Sequence, residues 1–201
     1  MRQMLDKAAG GRPYTLLAAT KTQSAETINL LPDCGIMNYA ENRVQEWLEK
    51  HDKIDKRLRY HQIGRLQTNK IKYIIEDVML IHSVDRMDLA REIDRQAEKH
   101  GRCVDILLQV NTAGEEQKGG VSPEGLMSLY EACLSLEHLR VKGLMCMARN
   151  TQDVRVTHET FASARALFDA LASSDKQIGV LSMGMSQDAQ IALEEGSTLV
   201  R

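Results

Sequence analysis

Lys21 ends the segment Tyr14-Thr15-Leu16-Leu17-Ala18-Ala19-Thr20-Lys21-Thr22 and is the first residue of the chain placed to do chemistry. A short apolar run followed by a polar residue and a helix-like pattern reads as a buried strand presenting an amine at its C-terminal end. In parallel α/β architectures ligands bind at that end, where the loops converge. A lysine there, partly desolvated, would have a lowered pKa and enough free amine to condense with an aldehyde. Taken alone, the segment favours the plainer reading of a solvated lysine at a strand end.

The second chemical signal is Leu181-Ser182-Met183-Gly184-Met185-Ser186. Gly184 permits unusual backbone, Ser186 can cap a helix directly behind it, and the unpaired N–H groups of that helix start would hold an anion. By itself Ser186 is most simply a helix N-cap, and Arg201, as a terminal residue, is as readily solvated as functional. Further polar clusters follow other strand-like runs: Ala40 to Glu46, His61 to Lys70, and Asn111 to Lys118-Gly119. His61 and His82 fit structural hydrogen bonding better than catalysis. The ten methionines suit core filling, with Met145 and Met183 able to face a bound ring.

These groups need elements to position them. Strand-like segments centre on 14–20, 35–40, 59–64, 78–83, 104–111, 140–147, 178–183 and 197–201, and helical patterns lie at 24–31, 42–50, 68–76, 86–100, 123–137, 154–172 and 187–195. Ser122-Pro123-Glu124 has an N-cap residue before a proline, and Leu126, Leu129, Tyr130 and Cys133 repeat at helical spacing. Strand runs that are apolar throughout, such as Val104 to Val110, suit parallel strands covered by helices. Repeated β-α units imply right-handed crossovers, and eight of them match a small single-domain (β/α)8 barrel of the TIM type over 1–201. An open doubly wound sheet is the competing architecture, but the even count of short units favours closure. Loops after the seventh and eighth strands of such barrels recur as phosphate sites, so a lysine with a phosphate cradle points to pyridoxal 5'-phosphate.

Composition excludes other classes. Of 201 residues, 43% are hydrophobic and 27% charged, with a net charge of -2, so no global field attracts nucleic acid or an anionic membrane. The basic run Lys53 to Arg59 is most simply a solvated surface, with nucleic-acid contact a weak second. Cys34, Cys103, Cys133 and Cys146 form no metal-like spacing, so buried free thiols in a reducing compartment and no metal site are expected. The start has no apolar signal core and no run is long enough to span a membrane, so a cytoplasmic protein is expected.

The motifs also resemble a known family. Leu16 to Thr22, Glu41-Asn42 with Val44-Gln45-Glu46, His61-x-Ile63-Gly64-x-Leu66-Gln67-x-Asn69-Lys70, His82-Ser83-Val84-Asp85, Gly143-Leu144-Met145 and Leu181 to Ser186 are similar, in order and at natural spacing, to the pyridoxal phosphate homeostasis protein family. The resemblance implies a barrel like the amino-terminal domain of alanine racemase. It implies that Lys21 holds the cofactor as an internal aldimine and that the role is vitamin B6 and amino-acid homeostasis without catalysis, so no catalytic residue is expected. Ser186 matches a phosphate ligand, and Arg201 an arginine facing the pyridine nitrogen. That cation disfavours ring protonation and weakens the cofactor as an electron sink. Asn42, His61, Asn69, Met145, Ser182, Met183 and Gly184 fall on matching motifs around the cofactor.

The chain departs from the family at Gln23, where a second lysine is usual, at Ala40, where glycine is common, and at Gln62, where an aromatic is common. It is also expected to be short at both ends. The family's closing segment after Arg201 would complete the phosphate cradle, so weaker cofactor binding is expected. Expected partners are pyridoxal phosphate and the apoenzymes that use it, with the chain a monomer. The alternative is a pyridoxal-dependent amino-acid racemase, which needs a second acid/base on the face opposite the lysine.

Overall fold

The structure, a computed structural model, describes residues 2–115 and 119–201. The polar run from Asn111 to Lys118 therefore lies partly outside the described residues. Eight strands follow one another in sequence: β1 Thr15–Ala19, β2 Asn38–Glu41, β3 Arg59–Gln62, β4 Val78–Val84, β5 Val104–Gln109, β6 Leu139–Met145, β7 Val180–Ser182 and β8 Leu199–Val200. Each pairs in parallel with its neighbours, and β8 pairs back to β1, so the ring is closed in chain order. Closure satisfies every strand edge, which an open sheet would have left exposed.

The crossovers carry α2 Ala25–Ile28, α3 Val44–Leu48, α4 Met87–Lys99, α5 Pro123–Cys133, α6 Val154–Ser174 and α7 Ala189–Glu194, while α1 Arg2–Ala9 precedes β1 and packs Leu5 and Ala9 near α7. The entry to α5 forms as its sequence implies: Pro123 opens the helix and Ser122 Oγ accepts from the Gly125 N–H. The helix expected over 68–76 is instead a 3-10 helix over Thr68–Tyr73. Ile71 and Ile74, both fully buried, are stacked by a three-residue turn, and β-branched residues gain little from α geometry.

The outer core lies between strands and helices. In β5, Ile106 and Leu108 face it while Leu107 faces the barrel interior, and all three are fully buried, which explains the unbroken apolar run. Inside the ring are two small apolar clusters. Leu17, Ala40 and Leu199 form one, and Leu80, Leu107 and Met145 the other. All four cysteines are free, but the expectation of burial holds only for Cys133 and Cys146; Cys34 and Cys103 are exposed. Among the described residues no helix is long and apolar enough to cross a membrane.

Candidate functional site

Lys21 sits in the turn that leaves β1. Ala19 pairs in register with the interior residue Ala40 and is nonetheless exposed, so this rim of the barrel is open. Lys21 follows two residues later and is exposed, not partly desolvated as the sequence suggested. The turn is closed by the Gln23 N–H donating to Thr20 O at 3.0 Å, with Thr22 at φ 66 in a region costly for a β-branched residue. A buried group holds this turn in place. Lys50 Nζ donates to Thr20 O at 3.1 Å and Gln23 O at 3.0 Å and pairs with Glu41 Oε1 at 2.7 Å. Glu41 is fully buried and also accepts from Thr20 Oγ1 at 2.6 Å, while its Oε2 has no hydrogen-bond partner among the described residues. The carbonyls on both sides of the Lys21–Thr22 pair are therefore tied to a single ammonium. Sequence reasoning missed Lys50, because a strand-end carboxylate and a lysine nine positions on fit no periodic template.

The same rim, past the C-terminal ends of β7 and β8, gathers the second set of groups. Gly184 has φ 95, and a Cβ there would meet Ala192 Cβ at 2.5 Å, so this backbone must be glycine. Gly184 O accepts the Arg201 N–H at 3.0 Å, and the Arg201 guanidinium donates to Cys146 O at 3.3 Å. Burial pulls that guanidinium down to about 10, still protonated at neutral pH. Ser186 does not cap the helix. The N-cap of α7 is Asp188, whose Oδ1 accepts the Met185 N–H, while the N–H groups of Asp188 and Ala189 go to Met185 O. The expected cradle is thus smaller than a bare helix start. What remains for an anion is the exposed Ser186 hydroxyl with the N–H groups of Ser186 and Gln187, facing a cavity of about 680 Å³ that Arg149 also lines.

Beneath this rim a hydrogen-bonded chain crosses the barrel interior. His61 Nε2 meets Asn38 Oδ1 at 3.2 Å, His61 Nδ1 meets His82 Nε2 at 3.0 Å, and His82 Nδ1 meets Ser182 Oγ at 3.0 Å. Burial holds His61 down at about 4, with the Arg59 charge adding to the effect. His82 lies well below its usual value through burial, then through the charges of His61 and Arg201. Two neutral rings satisfy the chain in one sense: with Asn38 presenting its oxygen, His61 donates to Asn38, His82 to His61 and Ser182 to His82.

The sequence-derived candidates therefore divide by place. Lys21, Gly184, Ser186 and Arg201 lie around the open C-terminal rim. His61, Ser182 and Met145 are buried inside the ring beneath it, and Met183 is fully buried in the outer core. Asn42 and Asn69 line a separate cavity of about 690 Å³ beside the 3-10 helix. Gln62, one of the departures, is fully buried: it accepts from Tyr60 Oη at 2.6 Å and donates to Asn42 O and Gly64 O. An aromatic side chain there would lose both backbone links.

Comparison with known proteins fits this arrangement. The model of the alanine racemase N-terminal domain matches residues 2–201. A protein of Aquifex aeolicus named pyridoxal phosphate homeostasis protein is 47% identical over 191 residues, covering 92% of this chain and 82% of that one. Among solved structures, an unknown protein from Bifidobacterium adolescentis superposes with a TM-score of 0.92 at 33% identity, covering 100% of this chain and 90% of that chain. PipY of Synechococcus elongatus, solved with PLP bound, gives 0.86 at 31% identity, covering 99% and 95%. With the closed parallel barrel, the open lysine-bearing rim and a relative 47% identical matched over 82% of its length, this chain belongs to the pyridoxal phosphate homeostasis protein family.

Proposed function

We propose that this chain binds pyridoxal 5'-phosphate at the C-terminal rim and serves vitamin B6 homeostasis, holding the cofactor through Lys21 without turning over a substrate of its own. The observation that carries the reading is the Lys21 turn: an exposed amine on a backbone anchored at Thr20 and Gln23 by a buried ion pair. PipY, a relative with the same fold, is described with PLP bound. The donor set fits the group in kind, since an amine suits an aldehyde, and a hydroxyl with two free N–H groups suits a phosphate.

When bound, pyridoxal phosphate supplies an aldehyde that condenses reversibly with an amine. In this reading Lys21 provides that amine, and Ser186 with the Ser186 and Gln187 N–H groups receives the phosphate. Arg201 keeps a positive charge between Gly184 and Cys146 that opposes protonation of a neighbouring ring nitrogen. His61, Ser182 and Met145 form the floor, and Asn42, Asn69 and Met183 act on the site only through the loops they belong to. Delivery to apoenzymes, monomeric state and cytoplasmic location belong to the same proposal.

The racemase alternative needs a second acid/base facing Lys21. Four of the five tyrosines have other partners or places: Tyr14 bonds Asp6, Tyr39 and Tyr60 pack with Trp47, and Tyr130 bonds Asp175. Titration with pyridoxal phosphate, followed by absorbance, tests the reading. Saturable binding in the wild type that is lost in Lys21→Ala supports it, as does the absence of D-alanine on incubation with L-alanine. Unchanged binding by Lys21→Ala refutes the lysine assignment, and steady D-alanine formation refutes the non-catalytic one.

A further inference from the structure

The cavity of about 690 Å³ beside the 3-10 helix differs in charge from the rest of the molecule. Arg43 reaches it from the loop after β2, Arg65 from the loop after β3, Lys70 from the 3-10 helix that follows, and Arg86 from the loop after β4. Among the described residues no carboxylate lines it, although the chain as a whole carries a net charge of -2. Its size falls within the range of small-molecule sites.

The four cations are not equally available. Arg86 is neutralised by Asp85 at 2.8 Å and Asp88 at 3.1 Å, and it holds the wall by donating to Leu66 O at 3.2 Å. Arg65 is exposed and makes no hydrogen bond or ion pair among the described residues. Lys70 has only a ring contact, 5.8 Å from the Tyr73 centroid, and Arg43 is held by Glu46 at a loose 3.8 Å. Arg65 and Lys70 are thus open to a ligand, and Arg43 is held only by its loose pair with Glu46, with the polar side chains of Asn42 and Asn69 beside them.

The loop carrying Arg65 is fixed in advance. Gly64 O accepts from Ser83 Oγ at 2.7 Å and from Gln62 Nε2 at 3.2 Å, and Gln62 Nε2 also reaches Asn42 O at 3.0 Å. A Cβ on Gly64 would lie 2.2 Å from Asn42 O, so the two loops touch backbone to backbone. Ser83 and Gln62 are buried, which makes the cavity floor rigid. The backbone that carries Arg65 is fixed before binding, so the freedom lost on binding is confined to the cationic side chains, and this separates a site from a merely basic surface.

We propose that this cavity is a second anion site, taking a small molecule with two linked phosphate groups, and that it works independently of the Lys21 amine. One phosphate engages Arg65 and Lys70, and the spread of charge to Arg43 calls for a second anionic group. Bidentate guanidinium contacts suit phosphate oxygens.

Calorimetric titration with inorganic pyrophosphate tests this. One saturable site is expected in the wild type, unchanged in Lys21→Ala and weakened about tenfold in Arg65→Gln and in Lys70→Gln, whose exposed or surface positions leave the melting temperature in place. Asn69→Asp, which puts a negative charge at the same wall, is expected to weaken binding to a similar degree. Absence of saturable heat overturns the proposal, as does binding that all three cavity substitutions leave intact. Loss of pyrophosphate binding in Lys21→Ala also overturns it, because the anion would then belong to the cofactor rim.

Discussion

With Asn38 presenting its oxygen, the two neutral imidazoles in contact inside the barrel are satisfied by one arrangement of protons, His82 Nε2–H donating to His61 Nδ1 at 3.0 Å. Burial opposes the charge that a further proton would bring to either ring. Folding therefore keeps His61 neutral down to about 4, whereas in the unfolded chain it takes a proton near its ordinary 6.5. The sign follows directly: between those values the unfolded state binds more protons, so stability falls as pH falls from about 6.5 to about 4. For His61 alone the loss amounts to roughly 3 kcal/mol once the lower limit is passed. Urea denaturation between pH 7 and pH 4 is expected to show this slope in the wild type and a shallower one in the doubly substituted His61→Gln, His82→Gln protein; equal slopes would contradict the account. None of this chain of bonds was legible beforehand. His61 and His82 are hydrogen-bonded to each other and to Asn38 and Ser182, which lie on other strands, and sequence spacing says nothing about what meets across a barrel.

Among the elements, the β1 turn depends on a residue outside it. Removing the Lys50 ammonium would leave Glu41 buried with neither oxygen paired to a cation, and loss of one partner from a buried pair costs about 3–5 kcal/mol. Lys50→Met is accordingly expected to lower unfolding free energy by roughly 3 kcal/mol, and the added change Glu41→Gln to recover part of it, both read by urea denaturation. A stability indistinguishable from wild type would show that Lys50 does not hold the turn. The sequence located the strand and its lysine because apolar runs and strand ends are local signals. It misread two helices for local reasons as well. Buried isoleucines at threefold spacing made 68–73 a 3-10 helix, and Asp188, not Ser186, took the N-cap of α7.

At the scale of the molecule, the barrel is closed most lightly at its end. β7 meets β8 through the single pair Ser182 and Leu199, and β8 meets β1 through two pairs. The β6–β7 seam that carries them relies on Gly143, at φ 154, where a Cβ would lie 1.8 Å from Val180 O. Gly143→Ala is expected to cost roughly 3 kcal/mol or more, by strain and by parting the two strands, and to lower the melting temperature measurably. A melting temperature equal to wild type would show that the seam tolerates a side chain. The eight-fold alternation and its closure were readable from the sequence, since every strand segment recurs with a helical or turn segment behind it. The division of the rim into the Lys21 turn, the Ser186 loop and a cationic cavity was not, because it depends on which loops the closed ring sets side by side.

The most direct measurement is borohydride reduction of the protein in the presence of pyridoxal phosphate, followed by peptide mass analysis. The account requires a pyridoxyl mass on the peptide containing Lys21. The same mass confined to any other lysine, or absent from every peptide, would contradict it.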